Sequence, residues 1–402
     1  MANQWFIDFL DHDLATVIAT FQPEQLHFVN RISDICDSDW QISRTAVDST
    51  TGNPLWPTLK SFSSITGAGI GPYRSGYSIR KDTNVLQQGL ITSMGGAWGQ
   101  DYMSMAGKDY LHSLQRRIWP FDPANPTTYI AGPGPFTSGT SYDQLGVDLA
   151  DIVQAMLDMV LSLGDSVPLT YTLPPTGIVI DYQANLADTT YIFDAIQTLG
   201  QQEPGFDFEV TPDLQFHMYA PKKYGTPAGI VSAGESGCVY VVDDSSPTTY
   251  PNGLQSLTFT NTGPGGTHIL GTGAGLSTEL GVALNYIAAQ DIYWRLDNPI
   301  DYGDITSPSM LLALAQADLS LGVNPIHEIS IVVDANQIAG FWTSVFAGLA
   351  LYLKLDLGWH MMDSPHQILE MDATINTEGD EIVTLNLNQI YDTSGLTGVA
   401  GA

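Results

Sequence analysis

The sequence predicts a β-rich α+β fold, with strand-rich segments at both ends of the chain flanking an α+β insertion. Three observations carry that prediction. Near both termini apolar and polar residues alternate, the period of a half-buried strand. Longer stripes at helical spacing are confined to the middle of the chain. Charged residues are only 14% of the 402 residues, while Gly and Pro number 39 and 23, a composition suited to short strands joined by many turns.

Taken in order, residues 5–19 and 25–30 read as short strands around an edge turn. Residues 33–46 read as another strand, with Trp40, Ile42 and Ala46 at alternate positions. Two prolines in 53–60 suggest a loop or an irregular edge. The stretch 76–118 then alternates at Tyr77 and Ile79 and turns at 82–84. It continues as strands over 89–92 and 98–105, split by Gly95 and Gly96. After Gly107 the spacing of Tyr110, Leu111, Leu114 and Ile118 becomes helical, with Asp109 in the first turn and Arg116 and Arg117 in the last. Residues 1–118 are therefore expected to form one domain of five to seven strands with a closing helix.

Residues 120–140 contain five prolines and read as a linker. A helix is expected from Ser141, where Gln144 completes a capping-box spacing. Leu145, Leu149, Ile152, Val153, Met156, Val160 and Leu163 form its stripe, and Gly164 ends it. A strand over 177–180 and a second helix from Thr190 follow, with Ile192, Phe193, Ile196 and Leu199 on one side and Gly200 at the end. Residues 206–210 and 214–219 make a hairpin about Pro212 and Asp213, and 239–242 and 254–260 read as strands joined by a polar turn. Ser307 and Pro308 open a third helix, with Leu311, Leu312, Ala315 and Leu319 facing the core. Residues 328–333, 351–355, 366–375 and 381–387 alternate again, and 392–402 is expected to fray. The expected division is 1–118, 119–175 (linker and helix), 176–326 (α+β insertion), 327–391 (second strand domain) and 392–402 (tail).

The formal net charge is −30, and it is unevenly spread. Residues 1–117 hold nine Lys and Arg against eleven Asp and Glu, a balance of −2. Residues 118–402 hold four against thirty-two, a balance of −28. Such a chain repels phosphate polymers and anionic membrane surfaces, although plain solubility accounts for acidity equally well. The two cysteines, Cys36 and Cys238, have no metal-ligand spacing and fit a reducing compartment. Asp8, Asp11 and Asp13 exclude a signal peptide over the first residues, and the most apolar run, 338–353, is too short for a membrane span.

Motifs for chemistry are weak. The glycines of 67–71 and 271–275 lack the strand, helix and acidic partner of a dinucleotide site, so turned backbone is the better reading. Asp11, His12 and Asp13, and His360, Asp363 and His366, lack HExxH or HxH spacing for a metal. No GxSxG elbow is present, and no catalytic, cofactor or metal residue is assigned.

Four segments carry a resemblance. They are GYSIRKDTNVLQQGLIT through YMSMAGKDYLHSLQRRI; TTYIFDAIQTLGQQEPGFDFEVTPDLQFHMYAPK; ILGTGAG; and SPSMLLALAQADLSLGVNP followed by LKLDLGWHMM. Their order resembles the minor tail proteins of siphophages, and more closely the baseplate or tail-hub family of actinobacteriophages. Trp359 and His360 depart from the family pattern after Leu357 and Gly358. The resemblance implies two tail-tube-like antiparallel β-barrel domains flanking the insertion, and a trimeric ring with pseudo-sixfold symmetry. It also implies a virion location at the tail tip after assembly in the host cytoplasm. The implied partners are further copies of the chain, a distal tail protein, a tape measure protein and other minor tail or tip proteins. No cofactor, enzyme activity or membrane insertion is expected.

Viral DNA would pass through such a ring without specific binding. An acidic wall would repel it, leaving the near-neutral first segment for protein contacts. Strand edges at both chain ends need cover, and the subunit-interface candidates there are Tyr77, Ile79, Trp98, Tyr102, Leu351, Leu353 and Trp359. Two other classes compete with the hub. A tail-associated cell-wall hydrolase would clear cell-wall suspensions, and a carbohydrate-binding adhesin, suggested by the Trp and Tyr content, would bind glycans saturably.

Overall fold

In the computed structural model the described residues are 4–60, 70–96, 99–119, 141–162, 167–185, 190–201, 205–220, 239–243, 253–262, 264–273, 280–286, 294–302, 308–323, 326–338, 340–356, 361–389 and 399–401. The linker expected at 120–140 falls outside them, as do Gly164, Lys222, Lys223, Cys238, Ser307 and His360.

Thirteen strands join in one sheet. Seven come from the N-terminal segment: β1 (Trp5–Leu10), β2 (Val17–Phe21), β3 (Gln25–Arg31), β4 (Asp37–Ser43), β5 (Gly76–Lys81), β6 (Asn84–Gly95) and β7 (Tyr102–Asp109). The others are β8 (Val239–Asp243), β9 (Leu254–Thr262), β10 (Ile326–Asp334), β11 (Ala350–Asp356), β12 (Met361–Ile375) and β13 (Glu381–Gln389). The order is β9-β10-β13-β12-β3-β4-β7-β6-β5-β1-β2, with β11 also on β12 and β8 on β11. Only the β8–β11 pair is parallel.

β12 is the branch point. Its first half pairs with β11, and its second half pairs with β3 from the far end of the sequence. β13 lies along its other side, with a register shift between Ile368 and Glu370. A one-residue shift of this kind bends and twists a strand locally, which suits a strand that serves two neighbours. Among the described residues no pairing closes the sheet into a barrel.

The described strands of the two chain ends are therefore continuous, and they share one core. Trp5, Phe28, Trp40, Tyr77, Ile331, Phe341 and Leu385 all lie buried in it. Aromatic contacts cross the junction, with Trp342 edge-on to Trp5 at 4.9 Å between ring centroids. Gly107 makes room for one of these rings. A Cβ there would lie 2.2 Å from Tyr77 Cε1, so the small residue is a packing requirement.

A second core lies beneath α1 (Leu149–Ser162) and α2 (Ile192–Gly200) and takes in the hairpin Asp207–Val210 and Gln215–Tyr219. A third packs α3 (Pro308–Gly322) on the strands His268–Gly273 and Leu280–Tyr286, with Ala315 and Leu319 buried. The expected stripes are borne out in α1 at Leu149, Ile152, Val153, Met156 and Val160, and in α2 at Ile192, Phe193, Ile196 and Leu199, all buried.

Several expectations are corrected. Residues 141–148 form a strand paired with Val179–Asn185, so the helix begins at Leu149 and Leu145 is exposed. Its N-terminal cap is Asp148, whose Oδ1 accepts from the Ala150 amide at 2.8 Å. That acceptor satisfies one of the orphan amides which the Ser141–Gln144 spacing was expected to serve. The helix after Gly107 is a single turn, Leu111–Leu114. Asp109 is the buried end of β7, and Ile118 pairs in a short strand with Tyr191. Residues 56–60 are a short helix, not loop. Leu312 is exposed on α3. β8 and β9 are not partners of each other. In the expected tail, Val399–Gly401 pairs with Leu284, Asn285 and Tyr286.

Candidate functional site

The structure sorts the interface candidates by burial. Tyr77, Ile79 and Leu353 have no exposed surface, so their side chains are core and have nothing to offer a second subunit. That corrects the expectation for these three. Strand alternation marks a buried face, and it does not say whether the chain's own core or a partner covers it. Tyr102 is exposed at the start of β7. Leu351 lies within β11, and Trp98 and Trp359 fall outside the described residues.

Two charged seams stitch the chain ends together. In the first, Lys81 Nζ donates to both carboxylate oxygens of Glu381, at 2.7 and 2.6 Å, and both residues are buried. The indole N–H groups of Trp5 and Trp342 donate to the same carboxylate at 3.0 and 2.7 Å. Both rings also lie within 6 Å of the ammonium. The second seam follows the β3–β12 junction at the sheet surface. Arg31 Nε donates to Glu370 at 2.5 Å and Nη1 to Asp37 at 2.7 Å. His27 sits between Asp39 and Asp372 at 2.7 and 2.9 Å. Hydrogen bonds to Asp372 and Asp39 raise its pKa to about 10, so both ring nitrogens carry protons at neutral pH and donate.

Asp109 is buried with Oδ1 unpaired, and burial pushes its carboxyl up to about 7. Burial also holds the neighbouring Cys36 thiol well above its usual range, which makes it an inert core group. The triplet at Asp11–Asp13 serves a turn, since the Asp13 carboxylate accepts from the amides of Ala15 and Thr16. Among the described residues no group of three His, Cys, Asp or Glu side chains is placed to hold a metal ion.

One cavity opens where the sheet meets the second core and measures about 320 Å³. His12, His112, Arg74, Arg116 and Arg117 line it, with Leu14, Leu90, Val160, Val167 and Pro168 as apolar wall, and no carboxylate is among the described lining residues. Tyr73 stands at its mouth with φ 55°, a left-handed conformation that costs a non-glycine residue about 1 kcal/mol or more. Arg116 Nη2 donates to Tyr73 Oη at 2.6 Å, and that hydroxyl lies 3.3 Å from His112 Nε2. Partial burial lowers the pKa of His112. Its Nδ1 faces Gln115 Oε1, an acceptor, at 3.2 Å, so Nδ1 carries the proton and Nε2 accepts from Tyr73. Sequence spacing could not assemble this group, whose members come from five separate stretches of chain.

No family model matches the chain, and no curated protein matches its sequence. Solved structures do match in fold. A tail protein from Neisseria meningitidis aligns with a TM-score of 0.57 at 12% identity, over 96% of each chain. The tail protein of prophage MuSo2 from Shewanella oneidensis aligns at 0.59 and 7% identity, over 96% of this chain and 98% of that one. A prophage tail protein from Listeria monocytogenes aligns at 0.52 and 9% identity, over 98% and 96%. The chain thus has the fold of phage tail proteins along nearly its whole length.

Proposed function

We propose that this chain is a structural subunit of a phage tail. In the finer reading it is the hub at the tip of a long, non-contractile tail, a ring of three copies joining the tail tube and distal tail protein to tip or receptor-binding proteins. The observation that carries the reading is the end-to-end fold match to tail proteins of near-equal span. A match confined to one domain would fit a borrowed module, whereas one spanning the chain fits a shared architecture. The resemblance in sequence order supports the siphophage type. In this reading each chain contributes two tail-tube-like β-barrel domains that flank the insertion, and neighbouring copies cover the sheet edges that β2 and β9 form among the described residues.

The reading assigns no chemistry to the chain. Its partners are further copies, a distal tail protein, a tape measure protein and other tip proteins, and DNA passes the ring unbound. Tyr102, Leu351, Trp98 and Trp359 remain its proposed interface positions. Electron microscopy of purified tails with this chain labelled is the test. Label at the distal end in threefold arrangement is the expected result. Tails that assemble fully without the chain would overturn it. Zymography on host cell walls should show no cleared band, and a band abolished by one Asp or Glu substitution would replace the hub with a hydrolase.

A further inference from the structure

We propose that Asp109 is a proton-operated latch between the sheet and the second core. Protonated, it lets the turn Leu111–Leu114 stay closed; ionised, it favours local opening of that turn. The latch operates within a single chain, whether or not the tail reading holds.

Asp109 sits at a pivot. It is the last residue of β7, and its amide donates to the Cys36 carbonyl at 3.0 Å. Gly89 of β6 pairs with it on the other side, where a Cβ would lie 2.7 Å from Asp109 Cα. The sheet therefore holds the residue closely from both neighbours. The next residue already belongs to the second core, in which Tyr110, Leu111 and Leu114 are buried. Beyond the turn the Arg117 carbonyl accepts from the Ile192 amide at 2.9 Å, and Ile118 and Trp119 pair with Tyr191 and Thr190. A charge placed at this step is felt by both cores.

The surroundings favour a neutral group. Asp109 is 5% exposed, and neither its Oδ1 nor the buried Tyr110 Oη has a hydrogen-bond partner among the described residues. The Cys36 thiol and the amides of Cys36 and His112 face the carboxyl, and Asp37 adds a like charge. The nearby cations are engaged with Asp37, with Arg31 Nη1 at 2.7 Å and Lys108 Nζ at 3.2 Å from it. Burial outweighs the donors and keeps the proton on Asp109 up to about pH 7. The ionised carboxylate is poorly solvated there, and exposing it to water relieves that cost.

The neighbours fix the sign of the response. Burial holds Cys36, Tyr77 and Tyr110 above their usual ranges, so they stay protonated between pH 5 and pH 8. Arg31 stays charged. Against the effect of its burial, Arg31 and Lys108 lower the pKa of Asp37, and burial lowers that of His112. Both of those shifts favour the closed fold as pH rises. Asp109 works in the opposite sense, between about 4, its value in water, and about 7, its value in the fold. Because the turn residues are buried, the open form is a minor one, and its population carries the response. His112 belongs to the turn and also lines the cavity beside Tyr73, so opening of the latch opens the cavity as well.

Hydrogen exchange of the full chain by mass spectrometry at pH 5, 6, 7 and 8, corrected for the intrinsic pH dependence of exchange, tests this. Opening of residues 110–119 should rise about tenfold or more from pH 5 to pH 7 and level off above. Asp109→Asn should abolish the rise, and Asp37→Asn, which removes only the neighbouring like charge, should keep it. Residues 110–119 should also open more often than β13 at every pH. Identical opening constants for the two would mean that the turn is released only when the whole fold is, and would overturn the latch. An Asp109→Asn profile that rises like the wild type overturns it too. So does a wild type whose corrected opening is flat or falls with pH, which needs no variant to read.

Discussion

The two seams that join the chain ends use similar residue types in different surroundings. Lys81 and Glu381 are closed off from water between two indoles, and every carboxylate oxygen has at least two donors. His27 and Arg31 make the same kind of contacts across β3 and β12, but their acidic partners keep 26–65% of their side-chain surface in solvent. Water screens the second set and cannot reach the first. The buried pair is therefore a condition for the ends to meet, since either charge alone would be stranded in a dry core. The surface seam adjusts the strength of a junction that backbone pairing already makes. Asp109 is the control for this contrast, a buried carboxylate with no cation in reach among the described residues, and its pKa rises instead.

The largest expected effect comes from breaking the buried pair. Glu381→Gln or Lys81→Met should each destabilise the chain by about 3–5 kcal/mol, because the remaining charge is left unpaired. Joint replacement by apolar residues of similar size should recover much of the loss. Additive losses in the double variant, by denaturant unfolding, would show that the two residues act independently.

Next in size is Arg31→Met, which removes charge-assisted bonds to Glu370 and Asp37 and a 2.8 Å bond to the Ile35 carbonyl. A loss of about 1.5–3 kcal/mol is expected. A loss matching that of Glu381→Gln would erase the contrast between the seams.

Asp109 sharpens the comparison through pH. Folded, its carboxyl holds a proton up to about pH 7, while unfolded it releases it near pH 4. Its contribution is thus most favourable below the unfolded value and is lost as pH rises through the folded one. Asp109→Asn should accordingly gain stability relative to wild type between pH 5 and pH 8, read from paired unfolding curves. A pH-independent difference would refute the assignment.

His27 should give the smallest effect, with the same dependence on rising pH. Its pKa is raised to about 10 in the fold, so its stabilisation is complete below the unfolded value of about 6.5 and fades as pH rises toward 10. His27→Gln should cost about 1 kcal/mol at pH 6 and little at pH 10. A constant cost across that range would mean that the ring packs without carrying charge.

Periodicity by itself located β3, β5, β10, β11 and β13 to within a few residues, and the buried stripes of α1 and α2, whereas the stretch 5–19 holds β1 and β2 with a turn between them, and β6 and β12 each begin five residues before the expected strand. A strand or helix that packs on a core must repeat its apolar residues at its own period, so that information is local. Element boundaries were less legible. Ser141 and Gln144 have the spacing of a helix cap, but the 141–148 stretch finds a strand partner at 179–185, while Asp148 supplies the cap. Interface and core residues were not separable for a related reason. Tyr77, Ile79 and Leu353 are apolar at alternating positions whether a partner or the chain's own core covers them. What only the tertiary structure decided depends on distant pairs. β3 meets β12 across more than 300 residues, Lys81 meets Glu381, and His12, Arg74, His112 and Arg116 converge on one cavity. Charge and hydrogen-bond complementarity act between groups brought together by folding, and no period in the chain records which distant residue will be the neighbour.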